Sequence, residues 1–272
     1  MSAAEAFARD GFAVLPGFVD AAGCARLIAR AEALAEALAP SSPRSIFTTK
    51  EQERTSDDWF LESGGRVRCF FEPGGAAINK IGHALHDLDP EFAAVSFDPR
   101  LGPLARACGL ADPVALQSMI IFKAPGVGGE VSVHQDACFL YTEGAPVVGF
   151  WLALEEATID NGCLWAEPGG HRGPLRQRFR RAARGGTEFV TLDATPLPRP
   201  DQLMPLPVAA GTLVVLHGRL PHWSGPNGSP RRRLAYALHC VDAGAPYPED
   251  NWLRREPLGP PRRLADGPPT FA

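Results

Sequence analysis

The sequence predicts a mainly β fold with some α-helix, a sandwich or barrel with helices gathered in its N-terminal part. Three observations predict it. From about residue 114, short apolar runs recur between turn signals. Twenty-eight glycines and 27 prolines fall without a period, which marks many turns and excludes collagen. The first 40 residues instead read helix, strand, helix.

Taken in order, Gly11–Phe18 is a short apolar run bounded by Gly and Pro, and reads as a strand. Asp20 stands at a helix N-cap, and Leu27, Ile28, Ala31, Leu34 and Leu38 follow at helical spacing until Pro40. Residues 41–75 are polar, charged and Gly-rich, and read as an irregular excursion. Ile78–Leu88 and Leu101–Cys108 read as helical. The β-type runs are Ala115–Lys123, Glu130–His134, Val147–Leu154, Cys163–Glu167, Glu188–Leu192, Thr212–His217 and Leu234–Val241. Asn161-Gly162 carries a hairpin signal, because both turn positions favour positive φ. There is no internal repeat. Residues 243–272 are Pro-rich and read as an extended or partly disordered surface tail.

The 272 residues suffice for one sizeable core, and we expect one domain over 1–272 with its β core at about 112–242. An apolar fraction of 45% and a charged fraction of 21% exclude bulk disorder. A net charge of −4 argues against a nucleic-acid partner. The six cysteines lie far apart with no CxxC, as in a reduced, cytoplasmic protein. Met1–Glu5 reads as no signal peptide, and the absence of 18 consecutive apolar residues predicts no membrane span. A monomer or homodimer is expected.

The chemistry concentrates around His134-Gln135-Asp136. On a strand, residues i and i+2 share a face, so an imidazole and a carboxylate can meet at one point. That pair suits Fe(II), Mn(II) or Zn(II). A further histidine after the run Thr212–His217 would complete a two-His, one-carboxylate set, and both His217 and His222 are candidates. Arg233 enters the next strand, where a guanidinium can grip a carboxylate with two parallel bonds.

Several segments together carry a family resemblance: Gln117-Ser118-Met119, Gly128–Ser132, His134-Gln135-Asp136 with Phe139–Glu143, Asn161–Trp165, Pro168–His171, and His217-Gly218 through to Arg233. Asp10-Gly11-Phe12 and Asn79–Leu85 extend it toward the N-terminus. In these the chain resembles the phytanoyl-CoA dioxygenase family of Fe(II)/2-oxoglutarate oxygenases. The resemblance implies a double-stranded β-helix (jelly-roll, cupin-like) buttressed by N-terminal helices. It implies His134, Asp136 and His222 as the iron ligands and catalytic centre, and Arg233 with Ser224 as the holders of the distal carboxylate of 2-oxoglutarate. Met119, Lys80 and Trp151 match positions around that co-substrate. It implies that O2 and 2-oxoglutarate are consumed, that succinate and CO2 are released, and that a small-molecule substrate is hydroxylated. Related halogenases lack the carboxylate ligand, so Asp136 favours oxygenation. The family usually carries Ser where Gly170 stands, and the Arg-rich segment that follows is particular to this chain.

Other residues have plainer readings. His83 and His86, at i and i+3 of the expected helix, read as packing or solvated, with metal binding as the rival, and His239 as core. His171 reads as a structural loop residue, with substrate contact as the rival. Cys138 and Cys163 read as small apolar fillers, and Trp165 and Phe139 as core or pocket wall. Arg231 and Arg232 read as a solvated turn. Arg172, Arg176, Arg178, Arg180, Arg181 and Arg184 read as a solvated basic loop, with reception of an anionic substrate as the rival. Two other function classes use the same features: a cupin-type metal hydrolase or isomerase, and a non-catalytic jelly-roll binding module. Arg233 with Ser224 argues against the hydrolase, which needs no second carboxylate clamp.

Overall fold

The computed structural model describes residues 1–46, 57–256 and 258–271. Helix α1 (Ala3–Asp10) starts on a capping box in which the Ser2 hydroxyl and the Glu5 carboxylate satisfy each other's backbone N–H groups. Gly11, at φ 83°, ends it and turns the chain into β1 (Phe12–Leu15), shorter than the expected Gly11–Phe18. The Asp20 carboxylate accepts the Gly23 N–H at 2.7 Å and caps α2 (Ala21–Leu38), as expected.

Between residues 41 and 75 the expected irregular excursion is only partly found. Residues 47–56 lie outside the described residues, but α3 (Asp58–Leu61) and β2 (Val67–Phe71) are regular. The helix expected over Ile78–Leu88 is a strand, β3 (Ile78–His83), followed by one helical turn, α4 (Leu85–Leu88). Pairing on both edges decides this: β3 is held between β2 and the next strand, β4 (Pro113–Lys123). Gly82 fits there because a Cβ would come within 3.2 Å of the Met119 Cβ. Helices α5 (Pro90–Ser96) and α6 (Leu101–Ala107) precede β4.

The remaining elements are β5 (Val131–His134), α7 (Asp136–Phe139), β6 (Val148–Ala153), β7 (Leu164–Ala166), β8 (Gln177–Arg181), β9 (Thr187–Thr191), β10 (Met204–Leu206), β11 (Leu213–His217), β12 (His222–Ser224), β13 (Arg233–Asp242) and β14 (Arg262–Arg263). The larger sheet has the order β1-β11-β6-β13-β4-β3-β2, with β14 beside β4. The smaller has the order β10-β7-β12-β5, and β8 pairs with β9 alone. From β4 to β7 the chain passes from one sheet to the other at each step, and it does so again from β10 to β13. This crossing makes the expected jelly-roll. It also corrects the reading of Asn161-Gly162. The flanking strands β6 and β7 belong to different sheets, so the turn, with Gly162 at φ 88°, changes layers and closes no hairpin.

The central strands of the larger sheet, β6, β11 and β13, are buried on both faces. On β13, Leu234, Tyr236, Leu238 and Cys240 pack with Phe7, Leu27, Phe92 and Leu101 from the helices. Ala235 and Ala237 face the smaller sheet with Trp151, Val214, Leu164 and Ala166. The alternation follows from the pleat. Of the two readings of the C-terminal tail, extended on the surface or partly disordered, the first is the nearer, but the tail also buries side chains. Trp252 and Leu253 are buried, β14 pairs with β4, and Leu264 sits in the helical core.

Candidate active site between the two sheets

Strands β5 and β12 are neighbours, and their register places His134 opposite His222. The two rings lie 4.2 Å apart. His134 Nδ1 donates to Ser132 O at 2.8 Å, and His222 Nδ1 donates to Leu220 O at 3.0 Å. A carbonyl can only accept, so each Nδ1 carries the proton and each Nε2 keeps its lone pair. Both Nε2 atoms face Asp136 Oδ1, at 3.4 Å and 3.7 Å. Of the two candidates for the second histidine, His222 converges with His134 and Asp136, and His217 does not. One donor atom from each of the three residues falls within 4.8 Å of the others, a set able to hold a metal ion.

Asp136 arrives by a route that the spacing did not foresee. Strand β5 ends at His134, and Asp136 is the first residue of α7. Gln135 fixes that turn. Its side-chain N–H groups donate to Pro174 O and Arg219 O, and its carbonyl accepts the Arg176 N–H. Burial raises the Asp136 carboxyl, but the imidazoles of His222, His239 and His134 outweigh it and hold it well below the usual carboxylate range. Burial, with His134 beside it, lowers His222 to about 4, so its lone pair is available at neutral pH.

His239 was read as core and instead lines the same cavity, with Nε2 3.4 Å from Asp136 Oδ2. Opposite it on β6 stands Gly149, where a Cβ would lie 3.2 Å from Asp136 Oδ2. The missing side chain makes room for the carboxylate.

Arg233 sits one sheet away at 1% exposure. Nη2 donates to the Ser224 hydroxyl at 3.2 Å, while Nε and Nη1 are buried without a partner. Burial lowers its pKa to about 10, which leaves it cationic at neutral pH. The Trp151 ring lies 5.5 Å from the guanidinium carbon. Met119, Lys80, Trp151, Ser224 and Arg233 all line one cavity with His134, Asp136 and His222. The cavity measures about 170 Å³, room for roughly a dozen water-sized groups. Lys80 also lies 5.2 Å from the Phe70 ring centre.

Lys123, not singled out in the sequence, braces this corner. It pairs in register with Arg233, and its buried ammonium donates to Gly129 O and Gly225 O. Burial, and then the charge of Arg233, lower it to about 7.

The other histidines are structural. His83 pairs with Ser63 and His86 with Ser118. His171 packs on His217, their rings 5.1 Å apart, and does not line the cavity. The six cysteines are buried and free, and Cys138 lines the cavity. Arg231 and Arg232 are exposed and paired with Glu156 and Glu155. The solvated basic loop is corrected. Arg178 and Arg180 hold Asp250, Arg181 holds Trp252 O and Leu61 O, and Arg172 holds Arg9 O. Of these arginines only Arg176 lines the cavity.

The phytanoyl-CoA dioxygenase family model matches residues 7–235. The chain belongs to the phytanoyl-CoA dioxygenase family. The expected enzyme class, a dioxygenase of this family, is thereby borne out. The chain is 43% identical to phytanoyl-CoA dioxygenase domain-containing protein 1 of Bos taurus over 93% of this chain and 94% of that one. It is 41% identical to a phytanoyl-CoA dioxygenase of Arabidopsis thaliana over 81% of each. Its fold is similar to that of the epimerase SnoN, solved in complex with Fe3+, alpha ketoglutarate and nogalamycin RO. The TM-score is 0.67 at 19% identity, over 99% of this chain and 94% of that one. Among the described residues, no helix of this dioxygenase-family chain is long and apolar enough to cross a membrane.

Proposed function

We propose that this protein is an Fe(II)- and 2-oxoglutarate-dependent dioxygenase that hydroxylates a small-molecule substrate. In the balanced reaction, one oxygen atom of O2 enters the substrate C–H bond as hydroxyl. The other enters succinate as 2-oxoglutarate loses CO2. One observation carries the reading: three metal-type donors converge beside a buried guanidinium with two nitrogens whose N–H groups no protein acceptor meets.

His134, Asp136 and His222 would hold the iron on one face. Bound there with the keto acid, iron supplies the oxidising chemistry. The protein supplies the rest. Ser132 O and Leu220 O fix the imidazole tautomers. His239 faces the Asp136 oxygen turned away from them and favours attachment through Oδ1. Arg233, oriented by Ser224, would take the distal carboxylate through N–H groups that no protein acceptor meets, as a charge-assisted pair. Met119, Trp151 and Lys80 would wall the keto acid, with Lys80 adding a second positive charge. Apolar side chains around the cavity keep water from the reacting centre. Six buried free thiols fit a cytoplasmic setting, and we assign the activity to one domain over 1–272.

The test is anaerobic addition of Fe(II) and then 2-oxoglutarate. A metal-to-ligand charge-transfer band and slow succinate release in air are expected. A metal site without the band would favour a hydrolase or isomerase. Neither metal binding nor band would leave a binding module.

A further inference from the structure

The cavity holds donors that the proposed iron and co-substrate leave unused. Arg176 is 9% exposed and lines the cavity. Its Nη1 donates to Pro174 O at 2.7 Å, and its Nε is buried without a partner. Trp252 is 2% exposed and lines the same cavity, and its indole N–H also meets no acceptor. Among the described side chains lining the cavity, Asp136 is the one carboxylate. Asp193 lies near enough to feel the Arg176 charge, yet it is solvated and forms no ion pair with it among the described residues.

Charge balance points the same way. Among the described groups, Arg233 matches the distal carboxylate of the keto acid, while Asp136 and the other carboxylate match a divalent ion. The loaded site, counted over these groups, is therefore neutral before Arg176 adds its charge. A buried cation without a counter-charge is costly, so the missing charge has to come with the remaining ligand.

The number of free guanidinium groups limits that charge. Arg172, Arg178, Arg180 and Arg181 are committed to protein carbonyls and carboxylates, and Arg184 is exposed outside the cavity, which leaves Arg176 as the one guanidinium of this segment open to a ligand there and, among the described residues, no arginine cluster for a polyphosphate. The neighbouring wall is aromatic. Phe139 lies 5.9 Å from the His134 ring and 6.1 Å from Phe189, and Phe60 stacks on Trp252 at 4.3 Å. We infer that the primary substrate is a small, mainly apolar monocarboxylic acid whose carboxylate is received by Arg176, with the Trp252 N–H as a second donor. The inference rests on the proposed function, since it takes Arg233 to be occupied by the co-substrate.

The test uses the anaerobic Fe(II) enzyme with saturating 2-oxoglutarate, so that Arg233 is blocked. Calorimetry then compares 3-phenylpropanoate, its neutral amide and its CoA thioester. The acid is expected to bind about tenfold tighter than the amide, as a charge-assisted bond implies. It is also expected to bind no more weakly than the thioester. Arg176→Gln should bring acid and amide to within about twofold with the charge-transfer band intact. Arg184→Gln, which removes an exposed charge, should change nothing. Equal or absent binding of acid and amide to the wild type would overturn the inference, and so would tighter binding of the thioester. The wild-type comparison decides even where the Arg176 variant fails to fold. A missing charge-transfer band in the wild type overturns the proposed function itself. A band without acid preference overturns only the substrate class.

Discussion

At Arg233 the interests of folding and of binding diverge. Its guanidinium is almost wholly buried with Nε and Nη1 unpaired, which penalises the ligand-free fold. Replacing a buried charge by an apolar side chain of similar length often stabilises, by about 1–4 kcal/mol. Arg233→Met should therefore raise the urea midpoint of the metal-free protein while weakening 2-oxoglutarate binding by about thirtyfold or more. Urea titration and calorimetry read the two effects separately. A Met variant that is less stable than the wild type would mean that the guanidinium is satisfied by the protein, and the co-substrate assignment would fail. Arg233 itself was legible from its place after His222, and so was the convergence of His134 with Asp136, although the latter stands on a helix and not on the strand. His239 was missed, yet the signal was present. Residues 233, 235, 237 and 239 share one face of β13, so an inward Arg233 implies an inward His239.

At the scale of elements, β6 and β13 build the site as a pair. His239 pairs with Gly149 in register, and the space left by glycine is filled by the Asp136 carboxylate. A methyl group in that space would press on the oxygen at 3.2 Å, and β6 cannot retreat because β11 and β13 hold both its edges. Gly149→Ala should therefore weaken metal binding by about ten- to a hundredfold, the range seen when the supports of metal ligands are disturbed, with an unchanged circular dichroism spectrum. Gly228→Ala is the control, because its Cβ would meet only Asp160 O at 3.9 Å. A titration with Co(II) in which both variants match the wild type would show that Gly149 has no such role. The strands around this pair were legible because double burial leaves continuous apolar runs. Ile78–Leu88 was not. Ile78, Ile81, Leu85 and Leu88 happen to fall at helical intervals, and the pairing of β3 with β2 and β4, which overrides that pattern, is non-local.

Across the whole molecule, the C-terminal tail adds Trp252 to the wall of the cavity between the two sheets. Asp250 is gripped by Arg178 and Arg180, and Asn251 donates to Tyr141 O at 2.7 Å. Arg181 holds Trp252 O. These contacts seat Trp252 against Phe60, Phe179 and His83. No periodicity announced this, because the tail buries side chains singly and holds them by polar bonds to an Arg-rich strand whose acids lie some seventy residues away. The consequence is a division of the tail into two parts with different effects on stability. Trp252→Ala removes a large buried ring and should cost about 3–5 kcal/mol. Truncation after Asp266 removes mostly exposed residues and should cost less than about 0.5 kcal/mol. Denaturant titration of the metal-free protein measures both. If the Trp252 variant lost less than the truncation, the tail would be a passive cover, and the aromatic wall of the cavity would have to stand without it.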